Sequence, residues 1–361
     1  MTARPRPRDD LRGLEGYHSP QVPATVRLNT NESPFPPPRE FVERFAAAVS
    51  GIDYHRYPDR AAAALRARLA DFLGQPAERL LCANGSNEVL QTLLLAYGGP
   101  GRRAVVFEPT YALHAHIARV TGTAVVAGRR GPDHTVDADA AAALVRDTDP
   151  AVVFVCSPNN PTGTVEPRGT VEALAAAAAR VGALLVVDEA YGEFAAWSAL
   201  ELVAEDAPVV VVRTYSKVWS LAAVRLGYAV APRWVTDELA KVLLPYALSV
   251  PTQLAGTIAL DFVQEMRGRV AALVEERGRL FASLAGRPGL TVFPSGANFL
   301  LVRVHGDSHA LWRALLDRGV LVRDFSRWPG VEGCLRVTVG TPEENDAFLA
   351  ALDAALPEVI A

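Results

Sequence analysis

The chain uses arginine almost wherever it carries a positive charge: of its 36 basic residues only Lys217 and Lys241 are lysines. A guanidinium stays protonated and cannot condense with an aldehyde, whereas a lysine amine can. Lys241 lies in the helical run Leu239-Ala240-Lys241-Val242 and reads as a solvated surface residue. Lys217 closes the run Arg213-Thr214-Tyr215-Ser216-Lys217 behind a β-branched stretch, with Arg225 eight residues further on. Three more polar clusters punctuate the chain. They are Asn84-Gly85-Ser86-Asn87-Glu88, Ser157-Pro158-Asn159-Asn160-Pro161-Thr162-Gly163 and Asp188-Glu189-Ala190-Tyr191. An imine-forming lysine, a carboxylate and a set of amide and hydroxyl donors are the groups that a pyridoxal 5′-phosphate cofactor requires.

Each group then has a physical task. The cofactor's pyridine nitrogen must stay protonated to draw electrons from the substrate carbon, and a carboxylate beside it favours the cation. Asp188 is the candidate. The ring oxygen needs hydrogen-bond donors, which Asn160 and Tyr191 supply. A phosphate needs backbone amides at a helix N-terminus together with hydroxyl or guanidinium groups. Ser86 and Asn87 open a helix, and Thr214, Ser216 and Arg225 surround the lysine. Taken singly, Asp188 could be a helix cap and Asn159 to Gly163 a plain turn. Together, in this order along the chain, they point to cofactor binding.

For such clusters to meet, the elements before them must bring their ends to one edge. From about residue 80 to 230 short β-branched runs alternate with alanine-rich helical stretches, the pattern of a mainly parallel sheet covered by helices. The expected strands are Ala104 to Phe107, Ala124 to Ala127, Val152 to Cys156, Ala183 to Asp188 and Val209 to Arg213, with a helix over Val171 to Arg180. In open parallel sheets ligands sit beyond the carboxyl ends of the strands, where these clusters fall. After residue 245 a long polar helical stretch and the runs ending Leu301-Val302 and Leu335-Arg336-Val337-Thr338-Val339 suggest a smaller α+β lobe. The fold class is therefore α/β, with a large domain over residues 51–245 and a smaller one over 246–361. Residues 1–50, rich in proline, are expected to pack on the smaller lobe or on a partner chain.

Composition narrows the function further. With 361 residues and 50% hydrophobic content the chain can bury a sizeable core. A formal net charge of −4 gives no general attraction to nucleic acid or to an anionic membrane. No apolar run is long enough to span a bilayer and the start lacks the apolar core of a secretory signal, so a cytoplasmic protein is expected. Cys82, Cys156 and Cys334 are far apart in apolar stretches and read as buried free thiols. His114 and His116 read as solvated or core histidines, and no metal site is expected. A nucleotide-binding or regulatory protein is disfavoured, for no G-x-x-x-x-G-K-[ST] run is present.

The order of these motifs, with Arg336 near the end, resembles the fold-type I pyridoxal-phosphate aminotransferases over nearly the whole chain. More narrowly, Asn29-Thr30-Asn31-Glu32, Arg56-Tyr57-Pro58-Asp59, Asn84 to Glu88 and Val322-Arg323-Asp324 are similar to the histidinol-phosphate aminotransferase family. The resemblance implies an amino donor and a 2-oxo acid as substrates and a homodimer with shared active sites. It further implies that Tyr111 stacks on the pyridine ring and that Tyr57 reaches the phosphate bound by the neighbouring subunit. Arg336 and Asn160 would take a substrate carboxylate, Arg323 a substrate phosphate, and Tyr17 would close over the substrate. Aromatic amino-acid aminotransferases, a phospho-amino-acid decarboxylase or a natural-product enzyme on the same scaffold are the alternatives. One segment departs from the family pattern: Val218-Trp219-Ser220-Leu221-Ala222-Ala223-Val224 lacks the usual glycine, and Trp219 is expected to reshape the pocket wall.

Overall fold

A computed structural model describes residues 4–11, 13–16 and 22–360. In chain order its strands are β1 (Val26–Leu28), β2 (Leu80–Ala83), β3 (Arg103–Glu108), β4 (Ala124–Arg129), β5 (Val152–Cys156) and β6 (Leu184–Asp188). They continue with β7 (Val209–Thr214), β8 (Gly227–Val230), β9 (Leu290–Val292), β10 (Phe299–Val304), β11 (Val320–Asp324) and β12 (Cys334–Thr338). Seven form one sheet in the order β2-β8-β7-β6-β5-β3-β4 and five form another in the order β1-β11-β12-β10-β9.

Within the larger sheet β3 to β7 run parallel, and the apolar runs of β3, β5, β6 and β7 are buried on both faces, while β4 at the edge is not. Alternation divides each run between two cores. Val153, Val155, Leu185 and Val187 join one cluster, while Val152, Phe154, Leu184 and Val186 join the other. Each such side chain contributes roughly 1.5–3 kcal/mol on burial. A slip of one residue would exchange the faces, so the register and the level at which each strand ends are firmly set. The helix preceding β6 covers Arg168–Val181 and stops at Gly182, whose φ of 68° turns the chain toward the strand.

The sequence reading passes over several short strands, β1, β2, β8 and β9, of which β8 matters most to the site. β8 runs antiparallel to both β2 and β7, pairing Gly227 with Ala83 on one side and with Thr214 on the other. Its reversed direction brings the residue ahead of it, Arg225, to the same edge as Asn84 to Asn87 after β2 and Ser216-Lys217 after β7. The close fit demands glycine, since a Cβ on Gly227 would lie 2.3 Å from the Ser86 nitrogen.

In the smaller sheet β1 from the N-terminal segment pairs parallel with β11, while β9 to β12 pair antiparallel. A separate apolar cluster lies beneath it.

Trp219 does not reshape the pocket wall. It is buried in the core, stacked on Tyr215 at 5.1 Å and edge-on to Phe72 at 5.6 Å. Ser220 follows with a left-handed φ of 55°, a conformation that suits glycine, and its hydroxyl pairs with that of Ser33 at 3.0 Å. That turn sends the large aromatic ring inward and leaves the small Ala222 and Ala223 facing the cavity. The three cysteines are buried and unbridged. Among the described residues no helix is long and apolar enough to cross a membrane.

Candidate active site

A cavity of about 410 Å³ opens where the carboxyl ends of β5, β6 and β7 face the smaller sheet. Lys217 and Asp188, 29 residues apart in sequence and on different strand ends, both line it. The Lys217 Nζ donates a hydrogen bond to the Thr30 carbonyl at 2.9 Å and lies 5.8 Å from the centre of the Tyr191 ring. Enclosure by protein, reinforced by the guanidinium of Arg336 and then that of Arg225, pushes its pKa down to about 8. About a tenth of the amine is then uncharged at pH 7, the form that attacks an aldehyde.

Asp188 ends β6 and is 1% exposed. Its Oδ1 accepts from the Ala190 amide at 3.1 Å, and its Oδ2 lies 2.9 Å from Nε2 of His114. His114 is equally buried, stacked on Phe154 at 4.9 Å and edge-on to Tyr111 at 5.4 Å. It is therefore no generic core histidine but the support of the carboxylate. The sequence carried a weak signal for it. Tyr111 sits just ahead of the helix Ala112–Val120, and three residues on, one turn later, His114 faces the same side.

The donors come next. The Tyr191 hydroxyl accepts from Asn31 Nδ2 at 2.8 Å, and burial pushes its pKa up to about 12, so it carries its proton throughout the ordinary pH range. The Asn160 carbonyl oxygen accepts from Arg336 Nη1 at 2.5 Å, which leaves the amide nitrogen as the end available to the cavity. The adjacent Asn159 faces away. It is fully buried and ties its loop to Thr110 and Pro109 at 2.8 and 3.0 Å.

At the opposite end the helix Ser86–Tyr97 points its N-terminus into the cavity, with Ser86 and Asn87 on its first turn. The Arg225 Nη1 donates to the Ser216 hydroxyl at 3.3 Å, and the Thr214 hydroxyl donates to the same oxygen at 3.0 Å. A Cβ on Gly85 would fall 2.5 Å from Arg225 Nη2, so glycine is what lets the guanidinium reach the helix start. Orphan amides, two hydroxyls and a guanidinium converge there as a phosphate cradle. Tyr111 lines the cavity between the two ends and donates its hydroxyl hydrogen to Asn87 Oδ1 at 3.0 Å. The donor set fits pyridoxal 5′-phosphate, with an anion cradle at one end, an acid supported by histidine at the other and an amine between them.

The smaller sheet supplies the remaining wall. Arg323 on β11 pairs in register with Arg336 on β12, and both line the cavity beside Phe325 and Trp328. Arg336 also donates to the Asn29 carbonyl at 2.8 Å. Neither Phe325 nor Trp328 was singled out by sequence, since nothing in their spacing distinguishes a pocket wall from a core. Tyr57 is not in the cavity of its own chain. It is 81% exposed and stacked on Tyr246 at 4.6 Å. Tyr17 lies outside the described residues.

Residues 23–352 match the family described as aminotransferase class I and II. The chain is 49% identical over 352 residues to the histidinol-phosphate aminotransferase of Thermobifida fusca, covering 96% of this chain and 94% of that one. It is 48% identical to the histidinol-phosphate aminotransferase of Streptomyces avermitilis, covering 96% and 95%. Among solved structures, histidinol-phosphate aminotransferase from Sinorhizobium meliloti in complex with pyridoxal-5′-phosphate superposes with a TM-score of 0.88 over 99% of both chains at 24% identity, a likeness of fold. With a strand-end lysine, a buried acid and a phosphate cradle in one cavity, and with the family matched over most of its length, the chain belongs to the class I and II aminotransferases, enzymes dependent on pyridoxal phosphate.

Proposed function

We propose that this aminotransferase moves the amino group of histidinol phosphate to 2-oxoglutarate, giving imidazole acetol phosphate and glutamate, reversibly, in histidine biosynthesis. The observation that carries the phosphorylated donor is the register pairing of Arg323 with Arg336, two cations that the smaller sheet brings to the cavity wall. One guanidinium suits the carboxylate of glutamate and the other the phosphate of the alternate donor.

The cofactor, when bound, supplies an aldehyde for the donor's amine and a ring that takes up the electron pair left on Cα. Lys217 would hold the cofactor through its amine, and its Nζ, when free, would be the base that takes the proton from the donor's Cα and gives it back. Asp188, braced by His114, keeps the proton on the ring nitrogen. Tyr191 and Asn160 donate to the ring oxygen, and Tyr111 covers the ring face. Ser86, Asn87, Thr214, Ser216 and Arg225 hold the phosphate. Arg336, with Asn160, takes the substrate carboxylate, and Tyr17 closes over the substrate.

The same reading makes the enzyme a cytoplasmic homodimer in which Tyr57 completes the neighbour's phosphate site, with residues 51–245 as the cofactor-binding domain and 246–361 as the smaller one. Support for the dimer comes from the Tyr57 and Tyr246 rings, two large aromatic surfaces that stay exposed although they stack on one another. The direct test is single-turnover bleaching of the cofactor's visible band with a panel of donors. Histidinol phosphate should bleach it faster than phenylalanine or histidine at equal concentration, and a preference for an unphosphorylated donor would overturn the assignment.

A further inference from the structure

Asn31 is 1% exposed and adopts a left-handed φ of 56°, a conformation that asparagine tolerates better than most residues. All of its polar groups are engaged. Its backbone N–H donates to Thr338 Oγ1 at 3.0 Å, and the Thr338 hydroxyl donates to Asn31 Oδ1, also at 3.0 Å. Its carbonyl accepts from Asn298 Nδ2 at 3.1 Å. The Thr338 oxygen accepts from the Asn31 backbone and gives its one hydrogen to Asn31 Oδ1, and that bond orients the amide. The oxygen is turned to Thr338 and the NH2 to Tyr191, whose hydroxyl oxygen it meets at 2.8 Å. An O–H that accepts from an amide on one side has its own hydrogen left to give on another. The Tyr191 ring is seated edge-on against Phe299 at 5.1 Å, and the residue lines the cavity beside Lys217.

We propose that Asn31 is a positioning residue that makes the Tyr191 hydroxyl a hydrogen-bond donor toward the ring oxygen of the bound cofactor, and so sets the pH at which the lysine-bound cofactor loses its proton. The inference rests on the assignment of Tyr191 to that oxygen. Donation draws negative charge from the ring oxygen, which then holds the proton on the lysine nitrogen less firmly. The relay from the Asn31 backbone through Thr338 and back through the Asn31 amide lets a residue of the smaller sheet, one hydrogen bond behind the cavity lining, act on the cofactor. Thr338 itself does not line the cavity.

The test is a pH titration of the visible band of the holoenzyme for wild type, Asn31→Gly, Tyr191→Phe and the double variant. Glycine accepts the left-handed backbone and adds no charge. Tyr191→Phe should raise the midpoint by about one pH unit or more, the scale of a hydrogen bond to a charged group. Asn31→Gly should raise it in the same direction by a smaller amount, and the double variant should go no further than Tyr191→Phe alone. An unchanged midpoint in Asn31→Gly beside a shifted one in Tyr191→Phe overturns the inference and leaves the Tyr191 assignment standing. Additive shifts in the double variant overturn it equally. If Tyr191→Phe itself moves nothing, the Tyr191 assignment fails and the inference with it. Should Asn31→Gly not fold, Thr338→Val serves instead. It must raise the midpoint when Tyr191 is present and leave it unmoved in the Tyr191→Phe protein, and any other pattern rejects the relay.

Discussion

At the floor of the cavity Asp188 and His114 are each 1% exposed and bonded to one another, whereas an edge of the molecule outside that cavity carries Tyr57, 81% exposed and leaning on Tyr246. The floor is assembled from strand ends whose level is set by two apolar cores, so its side chains have one available arrangement within a single chain. The edge has no such scaffold. Its aromatic rings lie open to solvent and gain their full packing only when another surface covers them. The contrast is between a centre fixed by the packing of one chain and an edge whose rings that packing leaves open.

The sharpest way to test the floor is Lys217→Ala. It should remove the covalent cofactor link and lower transamination on the order of a thousandfold, as an absent visible band and single-turnover rates would report. Appreciable turnover by that variant would detach the chemistry from the floor altogether. On the smaller-sheet wall, Arg323→Ala should weaken binding of a phosphorylated donor by roughly ten- to a hundredfold, a charged hydrogen bond's worth, while glutamate is held nearly as before. Equal losses for both substrates in KM measurements would remove the division of labour between the two arginines.

The edge is probed by mixing Lys217→Ala with Tyr57→Phe chains. If Tyr57 serves the neighbour, equal mixing with free exchange should restore about a quarter of wild-type activity, since half of the dimers are hybrids and each has one intact site. No recovery despite demonstrated exchange would make each site self-contained. The smallest effect concerns pH. Because burial and the neighbouring guanidiniums push the amine of Lys217 down to about 8, and only its neutral form attacks the aldehyde, the rate of cofactor uptake should rise several-fold from pH 7.5 toward about 9 and then level off. A rate flat across that range would mean that the amine is already neutral or that another step governs uptake.

Much of the floor was legible in the chain. β-branched runs that stop at Asp188, or just short of Ser157 and Lys217, advertise strand ends, and strand ends in a parallel sheet converge. His114 was not legible, because one histidine on an apolar helix looks the same whether its ring meets a carboxylate or a phenylalanine. Trp219 misled for a related reason. Nearness to Lys217 in sequence suggested nearness to the cavity, but the left-handed turn at Ser220 sends the ring into the core. The four residues of β8 were too short to declare a strand, let alone an antiparallel one, yet their direction is what carries Arg225 to the phosphate cradle.

The amino-acid sequence alone determined the chemistry on offer, because only a lysine can form the imine and only local apolar periodicity is needed to say where a strand ends. Tertiary structure alone decided the partners: which histidine meets Asp188, which amide meets Tyr191, and which tyrosine is left outside. Those pairings join residues 74, 160 and 189 positions apart, as in His114–Asp188, Asn31–Tyr191 and Tyr57–Tyr246. Hydrogen bonds and ring stacks act over a few ångströms of space and are indifferent to separation along the chain, so no local pattern records them.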